Sequence, residues 1–272
     1  MEVAQLRQVC QKGLGEIFFF SQYVYRPLTL HITRAYAWFG IGPSACTIHS
    51  QLVALVAIIV LAVPSPVSFL IAAICLQVYF ILDHVDGELA RLYAHMGLRP
   101  LRPGGEYLDF WVHFHTANVA FATLGLGLSL SSGSPLWGVL GILGCNILGN
   151  FPKLALSRTL VAMSLRNGSV ARTPEYQELA HIAADFGTRN ILARDRSFRQ
   201  KVMFLLSELA FFPGCVIVLP AVLVVDASLC ILAGSQLGIL AKAYLAAFVV
   251  VGLASKLRRT FLSIQKLNAI GS

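Results

Sequence analysis

The sequence predicts an all-α integral membrane protein with six transmembrane helices and an N-terminal interfacial segment. Three observations carry this expectation. Hydrophobic residues make up 57% of the chain and charged residues only 12%, a balance foreign to a soluble domain of this length. Long apolar stretches recur along it, each long enough or nearly so to cross the hydrocarbon as a helix. Lys and Arg are missing from three short links and gather in the others, the alternation that membrane topology imposes. Helices rather than open strands follow because a lipid-facing segment has to satisfy its own backbone hydrogen bonds.

In chain order, residues 1–46 form a cytoplasmic or interfacial segment. Phe18, Phe19, Phe20, Tyr23 and Tyr25 mix there with Arg26, His31 and Arg34, which suits a stretch lying in the membrane interface, broken by Pro27. Residues 47–256 form the six-helix membrane domain. Its spans are expected at 47–63, 66–88, 107–130, 135–157, 202–225 and 229–255. Pro100, Pro103 and the Gly104–Gly105 pair end the second span and restart the chain as the third. Gly125, Gly127, Gly138, Gly141 and Gly144 permit close helix approach, and Gly234 with Gly238 reads as a Gly-x-x-x-Gly helix contact in the sixth span. Residues 257–272 form a cytoplasmic tail.

The links Pro64–Ser65, Ser131–Ser134 and Asp226–Ser228 contain no Lys or Arg. The N-terminal segment, the 2–3 and 4–5 loops and the C-terminal tail hold most of the basic residues. The positive-inside rule therefore places both termini and both large loops in the cytoplasm. The formal net charge of +8 follows mainly from this bias, and no aromatic-basic module for nucleic acid is present. Six scattered cysteines show neither a Cys-x-x-Cys pair nor zinc spacing; small apolar packing is their expected role. Lys153, Glu208 and Lys242 fall within or near spans. They either pair with one another or line an acceptor pocket, with a buried partner expected for Lys242. Snorkelling is the simpler account of Lys153.

Chemistry concentrates where the second and third spans meet the basic loop. A carboxylate at membrane depth costs on the order of a few kcal/mol and usually marks a site. On a helix at about 100° per residue, Asp83, Asp86, Gly87 and Ala90 share one arc. Two anions thus lie beside two positions with almost no side chain. Asp109 and His113, spaced i and i+4, also share a face. Clustered carboxylate oxygens suit a hard divalent cation such as Mg²⁺, which can itself hold phosphate. The competing reading pairs the aspartates with Arg91, Arg99 or Arg102, and treats Gly87 and Ala90 as packing contacts.

Asp83, Asp86, Gly87, Ala90, Arg91, Gly105 and Asp109 resemble the motif of the CDP-alcohol phosphotransferases, Asp-x-x-Asp-Gly-x-x-Ala-Arg followed by Gly-x-x-x-Asp-x-x-x-Asp. Two departures stand out: the spacer from Leu92 to Gly104 has 13 residues, longer than the family's, and His113 stands where the fourth aspartate would be. The step from Pro43 through Ser44 to Thr47 resembles the family's Pro-Asn-x-x-Thr, with serine for asparagine. The resemblance implies a membrane transferase that moves a phosphoalcohol or phosphatidyl group from a CDP-linked donor, such as CDP-diacylglycerol, to an acceptor alcohol, with CMP released. It implies Mg²⁺ or Mn²⁺ on Asp83, Asp86 and Asp109. Gly87, Ala90, Arg91 and Gly105 would then receive the nucleotide and phosphates.

Imidazole at His113 would act as base or ligand; the rival reading is a catalytically inactive, family-like membrane binding or transport protein. Lipid synthesis in a bacterial cell membrane, a homodimer and an acceptor that carries a phosphate complete the expectation.

Overall fold

The computed structural model describes residues 3–11, 24–98, 103–148 and 214–271, together with Pro174, Tyr176 and Gln177. Every element among them is helical: α1 (Val3–Cys10), α2 (Arg26–Trp38), α3 (Pro43–Leu61), α4 (Pro66–His95), α5 (Pro103–Ser132), α6 (Leu136–Leu148), α7 (Gly214–Ala233) and α8 (Ile239–Gly271). Side chains at 103–111, 113 and 114 lie outside the description, as do Lys153, Glu208 and nearly all of the 4–5 loop.

Helices α3 to α8 close a ring. Helix α3 packs between α4 and α5, α5 lies on α6, α6 on α8, α8 on α7, and α7 returns to α4. One apolar core fills the ring, with Phe69, Tyr79, Phe80, Phe121, Leu124, Leu219, Leu223 and Leu245 almost wholly buried. The outward positions Ile48, Leu52, Leu55 and Ile59 of α3 and Val250 and Leu257 of α8 are exposed and apolar, as lipid contact requires. Three of the helices, α3, α4 and α8 over Ile239–Gln265, are long and apolar enough to cross a membrane. The apolar stretches of α6 and α7 are shorter as described.

Close approach falls where the glycines predict it. A Cβ added to Gly125 would stand 2.7 Å from the Gly141 Cα and 2.5 Å from the Trp137 carbonyl oxygen. Gly127 lies as tightly against the Leu61 carbonyl of α3. These contacts draw α3, α5 and α6 together without intervening side chains.

Two expectations are overturned. The link expected at Asp226–Ser228 is helical, because α7 continues to Ala233. Asp226 is 1% exposed and its carboxylate caps the next helix, with Oδ1 accepting from the Gly238 amide at 3.0 Å and Oδ2 from the Ala241 amide at 2.8 Å. The chain turns instead at Gly234 and Gly238, whose φ values of +64° and +86° belong to the left-handed region that glycine tolerates. Those glycines form a turn rather than a helix–helix contact. Lys242 consequently sits in the first turn of α8 with Nζ 5.7 Å from the Trp137 ring centroid, a cation–π contact. Pro27 stands in the first turn of α2. Proline lacks only an amide hydrogen that the first helical turn leaves unused.

Gly125→Val is expected to lower the thermal midpoint of the detergent-solubilised protein sharply, since overpacking costs about 1–3 kcal/mol and the opposing atoms are backbone. An unchanged melting curve would show that α5 and α6 can separate at no cost.

Candidate active site at the α3–α4–α5 junction

Helix α4 begins at Ser65, whose hydroxyl accepts the Ser68 amide at 3.0 Å. It runs without interruption to His95. All motif positions from Asp83 to Arg91 therefore lie on one helix and keep their predicted shared face. Asp83 is half-buried and Asp86 is 6% exposed. From the neighbouring α3, Thr47 donates its hydroxyl hydrogen to Asp86 Oδ2 at 2.7 Å. Thr47, noted in the sequence only as part of a proline-led step, thus orients one carboxylate of the candidate site. Pro43 stands in the first turn of α3 and sets the register that brings Thr47 opposite Asp86.

Gly105, Asp109 and His113 all lie on α5, on the other flank of α3, while their side chains fall outside the description. Among the described residues, no three His, Cys, Asp or Glu side chains gather as a metal cluster. The donors described, two carboxylates on one helix face, have the hard oxygen character that Mg²⁺ or Mn²⁺ takes.

Gly87 and Ala90 border the acidic arc as expected, and the space beside Gly87 is taken by a neighbour. Arg91 folds back over it, so that a Cβ at residue 87 would stand 3.4 Å from Nη1. Arg91 Nε also donates to the Cys10 carbonyl of α1. The guanidinium is thereby held at the edge of the acidic face, tied to the N-terminal helices.

The flank of α4 beyond Arg91 carries a buried polar cluster that the sequence reading missed. Glu88 is 1% exposed. Its Oε1 accepts from Thr29 at 2.9 Å and Gln11 at 3.1 Å, and its Oε2 accepts from Thr33 at 2.7 Å. Thr29 and Thr33 are one turn apart on α2, and Gln11 also reaches the Arg26 carbonyl at 2.8 Å. Arg26 itself is 5% exposed. Burial holds its guanidinium down at about 10, with Arg91 adding to the shift and Glu88 opposing it. Burial pushes the adjacent Cys10 thiol up to about 11, reinforced by Glu88 and opposed by Arg91. The available signal for Glu88 was a carboxylate in a helix continuous with a span. Its partners lie up to 77 residues away, beyond any local pattern.

His84 lies off the acidic face, as expected. Its Nδ1 is 2.9 Å from the Phe80 carbonyl and its ring meets Phe80 edge-on at 4.6 Å. His115 is exposed.

Comparison with known families bears on this junction directly. Residues 41–148 match the family model described as CDP-alcohol phosphatidyltransferase. The matched stretch spans α3 to α6 and contains every motif position, leaving α1, α2, α7 and α8 outside it. The family is one of transferases acting on phosphate groups. No curated protein matches the chain.

Two outcomes follow from the hydrogen bonds. Thr47→Val keeps the shape of the threonine and removes one hydrogen-bond donor from Asp86, which is expected to cost about 1–3 kcal/mol of stability, read as a lowered melting temperature in the absence of divalent metal. Glu88→Ala removes the acceptor that Gln11, Thr29 and Thr33 share and should loosen α1 from α4. Cys10, fully buried and held as the thiol, is then expected to become alkylated by iodoacetamide at pH 8 while the parent protein stays unmodified there, as peptide mass spectrometry would register.

Proposed function

Because residues 41–148 carry a CDP-alcohol phosphatidyltransferase domain, we propose that this chain is a membrane transferase of phospholipid synthesis. It moves a phosphoalcohol or phosphatidyl group from a CDP-linked donor, CDP-diacylglycerol among them, to an acceptor alcohol and releases CMP. The observation that carries the reading is the placement of Asp83 and Asp86 on one face of α4, with Asp86 buried and oriented by Thr47, inside the matched stretch.

Asp83, Asp86 and Asp109 would hold the divalent cation, Mg²⁺ or Mn²⁺, which would supply positive charge against the donor diphosphate and the leaving phosphate. The chain supplies the rest. Thr47 fixes the direction of one carboxylate. Arg91, lying over Gly87, adds a cation at the edge of the acidic face to contact donor phosphate. Ala90 and Gly105, and Gly87 once Arg91 moves off it onto the donor phosphate, leave room for the nucleotide. The acceptor oxygen forms a bond to the phosphorus of the transferred group as the bond to the CMP oxygen breaks. His113 takes the acceptor proton, a task suited to an imidazole near neutral pH.

The topology that suits this chemistry has six spans with both termini cytoplasmic, so that the site faces the CDP-linked donor, in a homodimer embedded in a bacterial cell membrane. A basic 4–5 loop favours an acceptor that itself carries phosphate.

The second reading is a noncatalytic, family-like membrane binding or transport protein. It is favoured by His113 in the aspartate position and by Arg91 filling the space beside Gly87.

Purified protein in detergent, given a panel of CDP-linked donors and acceptor alcohols, is expected to release CMP only with Mg²⁺ or Mn²⁺ present. Asp83→Asn, Asp86→Asn and Asp109→Asn should each weaken the metal response at unchanged fold. His113→Ala should slow transfer by about two to four orders of magnitude with donor affinity kept, and His113→Asp should recover part of the rate. Absence of CMP release from every donor would leave the noncatalytic reading standing.

A further inference from the structure

One turn deeper than the carboxylates, a second polar contact joins α3 to α5. Gln51 follows Thr47 by four residues on α3, about 6 Å further along the axis. Thr116, 2% exposed, follows residue 109 by seven positions on α5 and so returns to nearly the same helix face. The Thr116 hydroxyl donates to Gln51 Oε1 at 3.2 Å. The other end of that carboxamide, Nε2, is buried and has no hydrogen-bond partner. A buried polar group left unmatched costs about 1–3 kcal/mol, and such exceptions in a folded protein call for an explanation.

Packing does not require an amide at this position. The next inward residues on the two faces are Ala54 and Ala120, both small, apolar and buried, so an aliphatic side chain at residue 51 would be in keeping with its surroundings. Nor does the polarity serve Asp86, which Thr47 already contacts. Nitrogen and oxygen of a carboxamide are assigned from the network around them. In the opposite assignment Thr116 would face the nitrogen, and the oxygen would be the unmatched atom. Either way one end of Gln51 awaits a partner. A hydroxyl group can donate or accept and satisfies both cases, whereas a phosphate oxygen or an ammonium satisfies only one.

We infer that Gln51, braced by Thr116, is the hydroxyl-binding subsite for the alcohol substrate, one helical turn beneath the carboxylates. The inference rests on the transferase reading above and deepens it. Gln51 determines which alcohol is held and how, while Asp83, Asp86 and Asp109 serve the CDP-linked donor. Asn118 provides an internal control. Its Oδ1 is likewise buried without a partner, but it lies about 200° round α5 from Thr116.

Gln51→Met, nearly isosteric, separates this role from a packing role when made in the full-length protein. It is expected to melt close to the parent temperature, because removing the unmatched amide offsets the loss of the Thr116 contact. Its KM for the alcohol should rise about tenfold, the equivalent of about 1.4 kcal/mol, with the KM for the CDP-linked donor unchanged. Competing alcohols that differ by one hydroxyl should be discriminated less well, and Asn118→Leu should leave that discrimination intact. A Gln51→Met variant that turns over with the parent's alcohol KM and selectivity overturns the subsite while leaving the transferase reading in place. A lowered melting temperature with both KM values raised together also overturns it, in favour of a structural glutamine. A parent protein that releases no CMP from any donor overturns the transferase reading, and the subsite with it.

Discussion

A carboxylate packed among apolar helices has to be hydrogen-bonded, paired or bound to a cation, and Asp86 imposes that demand on the centre of this molecule. Leaving it bare would cost several kcal/mol. The response is the hydroxyl of Thr47, delivered by α3 at 2.7 Å. For that bond to exist α3 must lie against α4 in one register, and Pro43 at the start of α3 helps set it. Once α3 is placed, its opposite flank receives α5, and the close contact of Gly127 with the Leu61 carbonyl holds the two together. The ring of helices is thus organised outward from one polar contact. The same helix that satisfies Asp86 brings the two acidic elements, α4 and α5, to either side of itself.

Polar groups are handled differently on the remaining flank of α4. Glu88 is met by three neutral donors from Gln11, Thr29 and Thr33, and two guanidinium groups lie close by. The N-terminal helices are therefore attached to the motif helix through polarity as well as through apolar contacts, Leu6, Cys10 and Leu30 packing with Leu92 and Tyr93; the buried side of α2 is Arg26, Thr29, Leu30 and Thr33. Its far end presents Trp38 and Phe39, largely exposed, as an aromatic belt at a membrane surface would. Arg91 is tied to the same cluster through the Cys10 carbonyl.

How far the sequence revealed this structure depends on the range of each interaction. The acidic arc of Asp83, Asp86, Gly87 and Ala90 was legible because it needs only one unbroken helix and its 3.6-residue period. The approach of Gly125 to Gly141 was legible because glycine in an apolar helix has few other uses. Asp226 was misread since a charged residue between apolar runs looks like a loop, and only the Gly238 and Ala241 amides arriving from the next helix reveal it as a cap. Glu88 and Gln51 were overlooked, and the burial of Arg26 was not foreseen, for a related reason. Their partners come from separate helices, and no periodicity along one helix encodes them.

The carboxylate of Asp226 also bears on how the chain is made. An unpaired acid in α7 and bare amides at the start of α8 are each poorly tolerated by lipid, yet together they cancel. During synthesis α7 therefore gains a stable place among acyl chains only once the ribosome has delivered α8 beside it.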